Sequence, residues 1–387
     1  MSIDFGRVIE RNGTASVKWD GRGAHFGTTE VTPLWVADMD FAAPEAVTQA
    51  LIERARHPVY GYTLDPDSAY DVLIGWLQRR HGWRIERDWI VMAPGVVPSL
   101  YAAVHTFTQP GDGVIVQPPV YFPFFSAVTT PGRRLLENPL RLDGERYGID
   151  FAHLERRAAE GARLMLLCSP HNPVGRVWTV AELRELLRIA RRHDIVILSD
   201  EIHHDLIYPG ERHHPLATLA EGGDRIITAV APSKTFNIPG LGLSALIVPD
   251  AGHRQRLHQS FDLLHAGNYN PFSIVAFEAG YRNGDAWLDA LMTYLAQTRA
   301  AVGAFIASKL PGIRVIPAQG TYLLWLDCRG MGLDDATLMA CFIQAGAGLS
   351  PGTVFGTGGS GFMRLNIGAP KAVILAALDR LVATLAG

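Results

Sequence analysis

Between about residues 90 and 250 the sequence alternates short apolar runs with amphipathic segments, and this alternation restricts the possible folds. The runs read WIVMA, GVIVQ, RLMLLC, DIVILS, RIITAV and LSALIV, and they predict strands that are buried on both faces. The stretch TVAELRELLRIARRH has helical spacing behind Thr179, which predicts a capped amphipathic helix. Strands that alternate with helices predict an α/β fold, with a mostly parallel sheet covered by helices on both faces.

The C-terminal part follows a different pattern. A long helical stretch, roughly 284–310, precedes the strand candidates IRVIP, TYLLWLD and GFMRLNI and a final helix, PKAVILAALDRLVATL. This order predicts a smaller α+β domain. We expect a large domain at 46–283, a small domain at 284–387 and an N-terminal segment, 1–45, that contributes to the small domain.

Composition excludes several classes of protein. With 387 residues, 48% of them hydrophobic, the chain can bury a large core. Its net charge of −3 is scattered, which predicts no nucleic-acid partner and no membrane surface. The N-terminus lacks the features of a secretory signal, and three distant cysteines argue against a disulfide framework and a thiolate zinc site. We therefore predict a cytoplasmic protein.

Three predicted strands are followed by polar residues that are suited to chemistry. Asn172 lies in the turn SPHNPVG, Asp200 ends the run DIVILSD, and Lys234 follows RIITAVA. Open α/β sheets bind ligands at the carboxyl ends of their strands, so we expect the three to share a site. Each could separately be a capping, turn or surface residue. The other three lysines, including Lys18 in a polar N-terminal segment, suggest no special role.

Two histidine pairs, His203–His204 and His213–His214, suggest a metal site. Adjacent residues of a strand point to opposite faces, however, and no second cluster has ligand spacing. We therefore predict that these histidines are polar loop residues and that the chain has no metal site.

The motifs SPHNPVG, SDEIHHDL, SKTFNIPGL and FMRLNIG together resemble fold-type I pyridoxal 5'-phosphate (PLP) enzymes of the class I/II aminotransferase superfamily. PLWVADMDF, DEIH, GTYLLWLDCR and PGTVFGTGGSGFMRLNIG further resemble the cystathionine β-lyase, or cysteine-S-conjugate β-lyase, branch. The resemblance covers nearly the whole chain. It implies a seven-stranded sheet in the large domain, PLP as the cofactor, and a homodimer with shared active sites.

The resemblance also implies roles for single residues. Lys234 would form the Schiff base with the cofactor aldehyde and later take the substrate Cα proton. Asp200 would keep the pyridine nitrogen protonated, and Asn172 would bind the ring's 3-oxygen. Tyr121 would stack on the ring, although an ordinary core tyrosine is the alternative. The other implied cofactor contacts are Gly95, Val96 and Val97 with Ser233 at the phosphate, Tyr62 from the neighbouring subunit, and His203.

Arg364, in FMRLNIG, is the residue implied to bind the substrate. A planar guanidinium suits the α-carboxylate of an amino acid, and an unpaired one inside an apolar strand would be unfavourable. Asn172 and Tyr121 are expected to contact the substrate as well. The candidates for its side-chain pocket are Trp35, Asp38 and Tyr322.

Two departures from the superfamily pattern bear on the reaction. Ala231 and Gly242 stand where many aminotransferases have a serine and a phosphate-binding arginine. The loss of the arginine is compatible with the β-lyase branch and weakens the case for an ordinary aminotransferase. The expected reaction is elimination of a thiol from L-cystathionine or a related cysteine S-conjugate, giving pyruvate and ammonia. One alternative is an aminotransferase. The other is a PLP-binding regulator that acts through a protein partner, against which the intact Lys234, Asp200 and Arg364 argue.

Overall fold

The computed structural model describes residues 3–263, 265–267 and 269–386. The helices are α1 (Arg22–Phe26), α2 (Glu45–Arg56), α3 (Asp67–His81), α4 (Val96–Phe107), α5 (Pro123–Thr129), α6 (Phe151–Ala159), α7 (Val180–Arg192), α8 (Pro232–Thr235), α9 (Ala251–Leu263), α10 (Pro271–Asn283), α11 (Asp285–Lys309), α12 (Asp335–Gln344) and α13 (Lys371–Ala386). The strands are β1 (Thr32–Pro33), β2 (Ile90–Ala93), β3 (Gly113–Val116), β4 (Arg134–Glu137), β5 (Arg141–Asp143), β6 (Arg146–Gly148), β7 (Ala162–Cys168), β8 (Val196–Asp200), β9 (Ile226–Val230), β10 (Ser244–Ile247), β11 (Arg314–Ile316), β12 (Leu323–Asp327), β13 (Ala347–Gly348), β14 (Ser350–Pro351) and β15 (Phe362–Asn366). Within these ranges, no helix combines the length and the apolar character that a membrane span requires.

A seven-stranded sheet has the order β2-β10-β9-β8-β7-β3-β4. Strand β10 runs antiparallel to both of its neighbours, and the other pairs are parallel. The predicted mostly parallel α/β fold is confirmed, and the six apolar runs correspond to β2, β3, β7, β8, β9 and β10. The sequence did not predict the seventh strand, β4, because this edge strand reads RLLE and is only partly buried.

The sheet topology brings the loops of the predicted site to one edge. The carboxyl ends of β2, β9, β8, β7 and β3 all face that edge, because β10 alone is reversed. Gly95 follows β2, Tyr121 follows β3, Asn172 follows β7, Asp200 ends β8, and Lys234 follows β9 within α8. These residues are distant in the sequence and become neighbours because parallel strands pair in register.

A second, four-stranded antiparallel sheet has the order β11-β12-β15-β14 and contains Arg364 in its strand β15. One hydrophobic cluster contacts both sheets, since it includes Val230 and Ala245 of the seven-stranded sheet as well as Leu323 and Leu365 of the four-stranded sheet. The domain boundaries stay a proposal, and the boundary at 283/284 falls between α10 and α11.

Lys18 is buried, contrary to its ordinary appearance in the sequence. Its Nζ donates to Asp40 Oδ2 at 2.8 Å and to the Asp38 carbonyl oxygen at 3.1 Å. Arg11 forms ion pairs with both Asp38, at 2.9 Å, and Asp40, at 2.6 Å. The polar composition of residues 11–20 could not reveal these partners, which lie about twenty positions further along the chain.

The cap of α7 supports a stability prediction. Thr179 Oγ1 accepts a hydrogen bond from the Glu182 backbone N–H at 3.2 Å, and Glu182 Oε2 accepts one from the Thr179 N–H at 2.8 Å. We expect Thr179→Ala to lower the free energy of unfolding by about 1 kcal/mol, measured by urea denaturation. Thr384→Ala is the control, because that hydroxyl only donates to the Arg380 carbonyl within α13. Equal losses in both variants would contradict the role of the cap.

Candidate active site

A cavity of about 210 Å³ lies at the carboxyl edge of the seven-stranded sheet. The predicted site residues that line it are Gly95, Val96, Val97, Tyr121, Asn172, Asp200, His203, Ser233 and Lys234. The sequence did not point to several other lining residues, namely Ala37, Pro94, Pro98, Cys168, Ile202, Pro239 and Leu243. Most of these contribute only backbone or apolar surface, so no residue type marked them in advance.

The Lys234 amine lies inside the cavity with few polar contacts. Its Nζ donates to the Ala37 carbonyl oxygen at 2.6 Å, and Tyr322 Oη donates to the same oxygen at 2.8 Å. Burial, together with the charge of Arg364, lowers the pKa of Lys234 to about 8, although Asp38 and Asp200 oppose this shift. A large fraction of the amine is therefore uncharged just above neutral pH, which is the form that acts as a nucleophile or base.

Asp200 is a buried carboxyl group without an ion-pair partner among the residues that the structure describes. Its Oδ1 accepts a hydrogen bond from the Ile202 backbone N–H at 3.1 Å. Burial raises the pKa of Asp200 to about 7, despite the charge of Lys234 nearby. A cationic group placed beside this carboxylate would be strongly stabilised, because it would offset the cost of burying the charge.

The raised pKa predicts how the stability of the cofactor-free protein depends on pH. The carboxyl titrates near pH 4 in the unfolded chain, so the stability that it contributes is full below about pH 4 and is lost as the pH rises through about 7. We expect this loss to reach on the order of 4 kcal/mol and to be absent in Asp200→Asn. The test is the difference in unfolding free energy between the two proteins from pH 4 to pH 8. If the unfolding free energies of the two proteins change in parallel with pH, the prediction is wrong.

Arg364 is buried without a carboxylate partner in the described part of the chain. Its Nη1 donates to Asn172 Oδ1 at 3.2 Å, and its Nη2 donates to the Trp35 carbonyl oxygen at 2.5 Å and to Ser350 Oγ at 3.3 Å. Its Nε has no partner. Burial lowers the pKa of Arg364 to about 10, so the side chain stays charged at neutral pH and can bind an anion.

The first turn of α4 offers a second place for an anion. Gly95 is the N-cap of this helix, and no side chain caps the free backbone N–H groups of Val96 and Val97. A Cβ atom at Gly242 would lie 2.9 Å from the Pro94 carbonyl oxygen, so the backbone approaches too closely for a larger residue. This contact gives a physical reason why position 242 holds glycine and not the phosphate-binding arginine of many aminotransferases.

Five predicted residues do not line the cavity in the described part of this chain, and Arg364 is one of them, although it donates to the lining residue Asn172. Trp35 stacks on His25 with ring centroids 3.9 Å apart, and Asp38 lies in the ion-pair cluster with Arg11. Tyr322 is buried beside the cavity, where its Oη donates to the Ala37 carbonyl and its ring packs edge-on against His203. Tyr62 is fully exposed on the surface. The contacts of these residues with substrate or cofactor stay predictions.

The four paired histidines lie in turns and loops, as predicted, but three of them are buried, which the sequence did not indicate. His203, His204 and His213 are buried, and only His214 is partly exposed. His203 lines the cavity, where burial lowers its pKa to about 3 and keeps the ring neutral. The other two face buried carboxylates, as His213 Nε2 lies 2.8 Å from Glu201 Oε2. The sequence could not show that these pairs are buried, because burial depends on how distant segments pack around them.

Comparison with known proteins places the chain in a family. The family model for aminotransferase class I and II matches residues 29–381. The chain belongs to this family. It is 44% identical to cystathionine β-lyase PatB of Bacillus subtilis over 386 residues, which cover 99% of this chain and 100% of that protein.

Solved structures of other family members have the same fold. Cystalysin from Treponema denticola, which contains PLP, matches with a TM-score of 0.97 and 37% identity, covering 100% of this chain and 99% of that one. The PLP-bound C–S lyase from Staphylococcus hominis matches with a TM-score of 0.93 and 30% identity, covering 100% of this chain and 99% of that one. The resemblance to the cystathionine β-lyase branch of the class I and II aminotransferases is thereby confirmed.

Proposed function

We propose that this chain is a PLP-dependent carbon–sulfur lyase that eliminates a thiol from L-cystathionine or a related cysteine S-conjugate, giving pyruvate and ammonia. One observation carries the proposal. An amine and a carboxyl group without an ion-pair partner among the described residues line one cavity, and the Arg364 guanidinium donates to Asn172 at the wall of that cavity, in a chain with full-length similarity to a cystathionine β-lyase. The similarity to a cystathionine β-lyase supports elimination of a thiol as the reaction. The side chains at the cavity support PLP as the cofactor.

The residues at the cavity fit PLP. The Lys234 amine suits its aldehyde, the Asp200 carboxyl suits a protonated ring nitrogen, and the first turn of α4 suits its phosphate. The raised pKa of Asp200 is the sharpest sign of fit, because no cation among the described residues forms an ion pair with this buried group. When bound, PLP supplies an electron sink for the electron pair that remains after a proton leaves the substrate Cα.

The chain's own residues bind the substrate and move the proton. Arg364 binds the α-carboxylate, and the Asn172 side chain, which accepts from Arg364, orients that guanidinium. Lys234 takes the Cα proton, and its lowered pKa keeps part of the amine uncharged for this purpose. Asp200 holds its negative charge against the cofactor ring.

The identity of the leaving group decides between elimination and transamination. A thiolate at the substrate Cβ leaves easily, whereas a substrate without such a group cannot undergo this elimination and can exchange its amino group instead. The Bacillus subtilis relative is named a cystathionine β-lyase, and the Staphylococcus hominis structure is a C–S lyase. Gly242 also supports elimination over transamination, because many aminotransferases have a phosphate-binding arginine at this position. A cysteine thioether is therefore the proposed substrate.

A product assay tests this function. Purified protein with PLP is incubated with L-cystathionine and several other cysteine thioethers, and the released thiol and pyruvate are measured. We expect both products in equal amounts from at least one thioether. Amino-group exchange between amino acids and keto acids, with no thiol or pyruvate from any thioether, would show an aminotransferase instead.

We also propose that the protein is a homodimer in which Tyr62 completes the neighbouring subunit's site. Tyr62 lies in an exposed segment, 58–66, with the exposed apolar side chains Val59 and Leu64. Exposed apolar surface of this kind is typical of an interface between chains.

Mixing two inactive variants tests this arrangement. We expect Tyr62→Ala to be impaired and Lys234→Ala to be inactive as separate homodimers. After unfolding and refolding together, mixed dimers would contain one site with both native side chains, so part of the activity should return. Mixing without recovery would contradict the shared site, and a monomer by light scattering would contradict the dimer.

The cytoplasmic location is likewise a proposal. Cys168 and Cys328 are free and buried, and Cys341 is free and partly exposed. Free thiols of this kind are typical of reducing compartments.

A further inference from the structure

Helix α3 and the turn after β8 bring together three potential metal ligands outside the proposed PLP site. His81 Nε2 lies 2.7 Å from Asp205 Oδ1, and His204 Nε2 lies 3.1 Å from Asp205 Oδ2. One ligand atom from each residue can be chosen so that all three lie within 4.8 Å of one another. The side chains of His81, His204 and Asp205 are only 7%, 1% and 0% exposed.

The hydrogen bonds of His204 fix which ring nitrogen is available. Its Nδ1 lies 2.6 Å from the Glu201 carbonyl oxygen, which can only accept, so Nδ1 carries a hydrogen. Its Nε2 is buried and makes no hydrogen bond to the described residues, although the Asp205 carboxylate lies 3.1 Å away. A neutral ring would aim a lone pair at a carboxylate, which is unfavourable. The ring therefore either carries a second proton or binds a cation.

The neighbours of Asp205 orient it as outer-shell residues orient a metal-binding carboxylate. Trp76 Nε1 donates to Asp205 Oδ1 at 3.0 Å, and Thr235 Oγ1 donates to Oδ2 at 2.7 Å. Such contacts, with the bond from His204 Nδ1 to a backbone carbonyl, are typical of metal sites. A cavity of about 370 Å³, lined by all three ligands and by Glu211 and Asp289, gives a route for an ion and room for water.

We propose that His81, His204 and Asp205 bind a divalent transition-metal ion such as zinc. Two imidazoles and one carboxylate suit Zn²⁺ better than Mg²⁺ or Ca²⁺, and water from the cavity would fill the remaining position. The earlier expectation of no metal rested on the spacing of the paired histidines alone. It could not include His81, which α3 supplies from more than a hundred residues earlier. This proposal does not depend on the reaction at Lys234.

Zinc titration of the PLP-bound protein tests the site. After treatment with a chelator and its removal, zinc chloride is added in an isothermal titration calorimeter, and bound zinc is measured by elemental analysis. We expect one ion per chain, and at least tenfold weaker binding in His204→Gln and in His81→Gln. His214→Gln is the matched control, because this partly exposed histidine lies outside the ligand set, and it should bind like the wild type.

Further variants keep the result decisive. Lys234→Ala should bind zinc with the wild-type affinity, which separates this site from metal binding by the cofactor. Thermal unfolding shows which variants are folded, and His81→Gln serves alone if His204→Gln is not. The absence of saturable zinc binding by the wild type would overturn the proposal and leave His204 as a protonated partner of Asp205. Unchanged affinity in the folded His81 or His204 variant would overturn it as well.

Discussion

Lys234→Ala is expected to abolish turnover and to remove the visible absorption of the bound cofactor. The substitution removes both the covalent attachment of PLP and the base that takes the Cα proton. A loss of at least about 10⁴-fold in kcat is therefore expected. The measurements are thiol release from the best thioether substrate and an absorption spectrum of the purified protein.

Lys309→Ala is the matched control for this variant. Lys309 is exposed, and its Nζ pairs with Asp379 at 3.1 Å, far along the sequence from the cavity loops. This control should keep the wild-type spectrum and rate. A Lys234→Ala protein that turned over substrate at more than about a hundredth of the wild-type rate would be incompatible with its role as attachment point and base.

Arg364→Ala should mainly weaken the binding of the amino-acid substrate. Arg364 is buried and has no carboxylate partner among the described residues, so a bound α-carboxylate would complete its ion pair. We expect a loss of ~2–5 kcal/mol in substrate binding, measured as a rise in KM and in the dissociation constant of an unreactive amino acid. Arg364→Lys should recover only part of the lost binding energy, because an ammonium cannot form the two parallel hydrogen bonds that a guanidinium makes with a carboxylate.

Two comparisons separate this effect from general damage. Arg56→Ala removes an exposed arginine that pairs only with Glu53 within α2, and it should leave KM unchanged. The spectrum of bound PLP should persist in Arg364→Ala, since the cofactor is held elsewhere. Unchanged substrate affinity in Arg364→Ala would show that the carboxylate binds at another group.

The sequence predicts those parts of this fold that depend on local patterns. Six strands of the seven-stranded sheet are continuous apolar runs, and the capping box at Thr179 is a local motif. The residues that follow these strands, among them Asn172, Asp200 and Lys234, could also be placed together, because parallel strands bring their carboxyl ends to one edge. The weakly apolar edge strand β4 had no comparable signal.

Contacts between distant segments could not be predicted from the sequence. The Ala37 carbonyl, which accepts from both Lys234 and Tyr322, belongs to a residue with no functional group in its side chain. Lys18 is buried because of carboxylates twenty residues away, and His81 meets His204 and Asp205 only in the folded chain. In each case the determining partner is supplied by another element, so residue type and spacing carry no information about it.

Reduction with borohydride, followed by peptide mass spectrometry, tests most directly whether PLP is held at Lys234. The chain has only four lysines, so the modified position can be assigned without ambiguity. We expect the mass of the reduced cofactor on the peptide that contains Lys234 and on no other. Absence of the adduct from protein saturated with PLP, or an adduct only at Lys18, Lys309 or Lys371, would contradict the proposed active site.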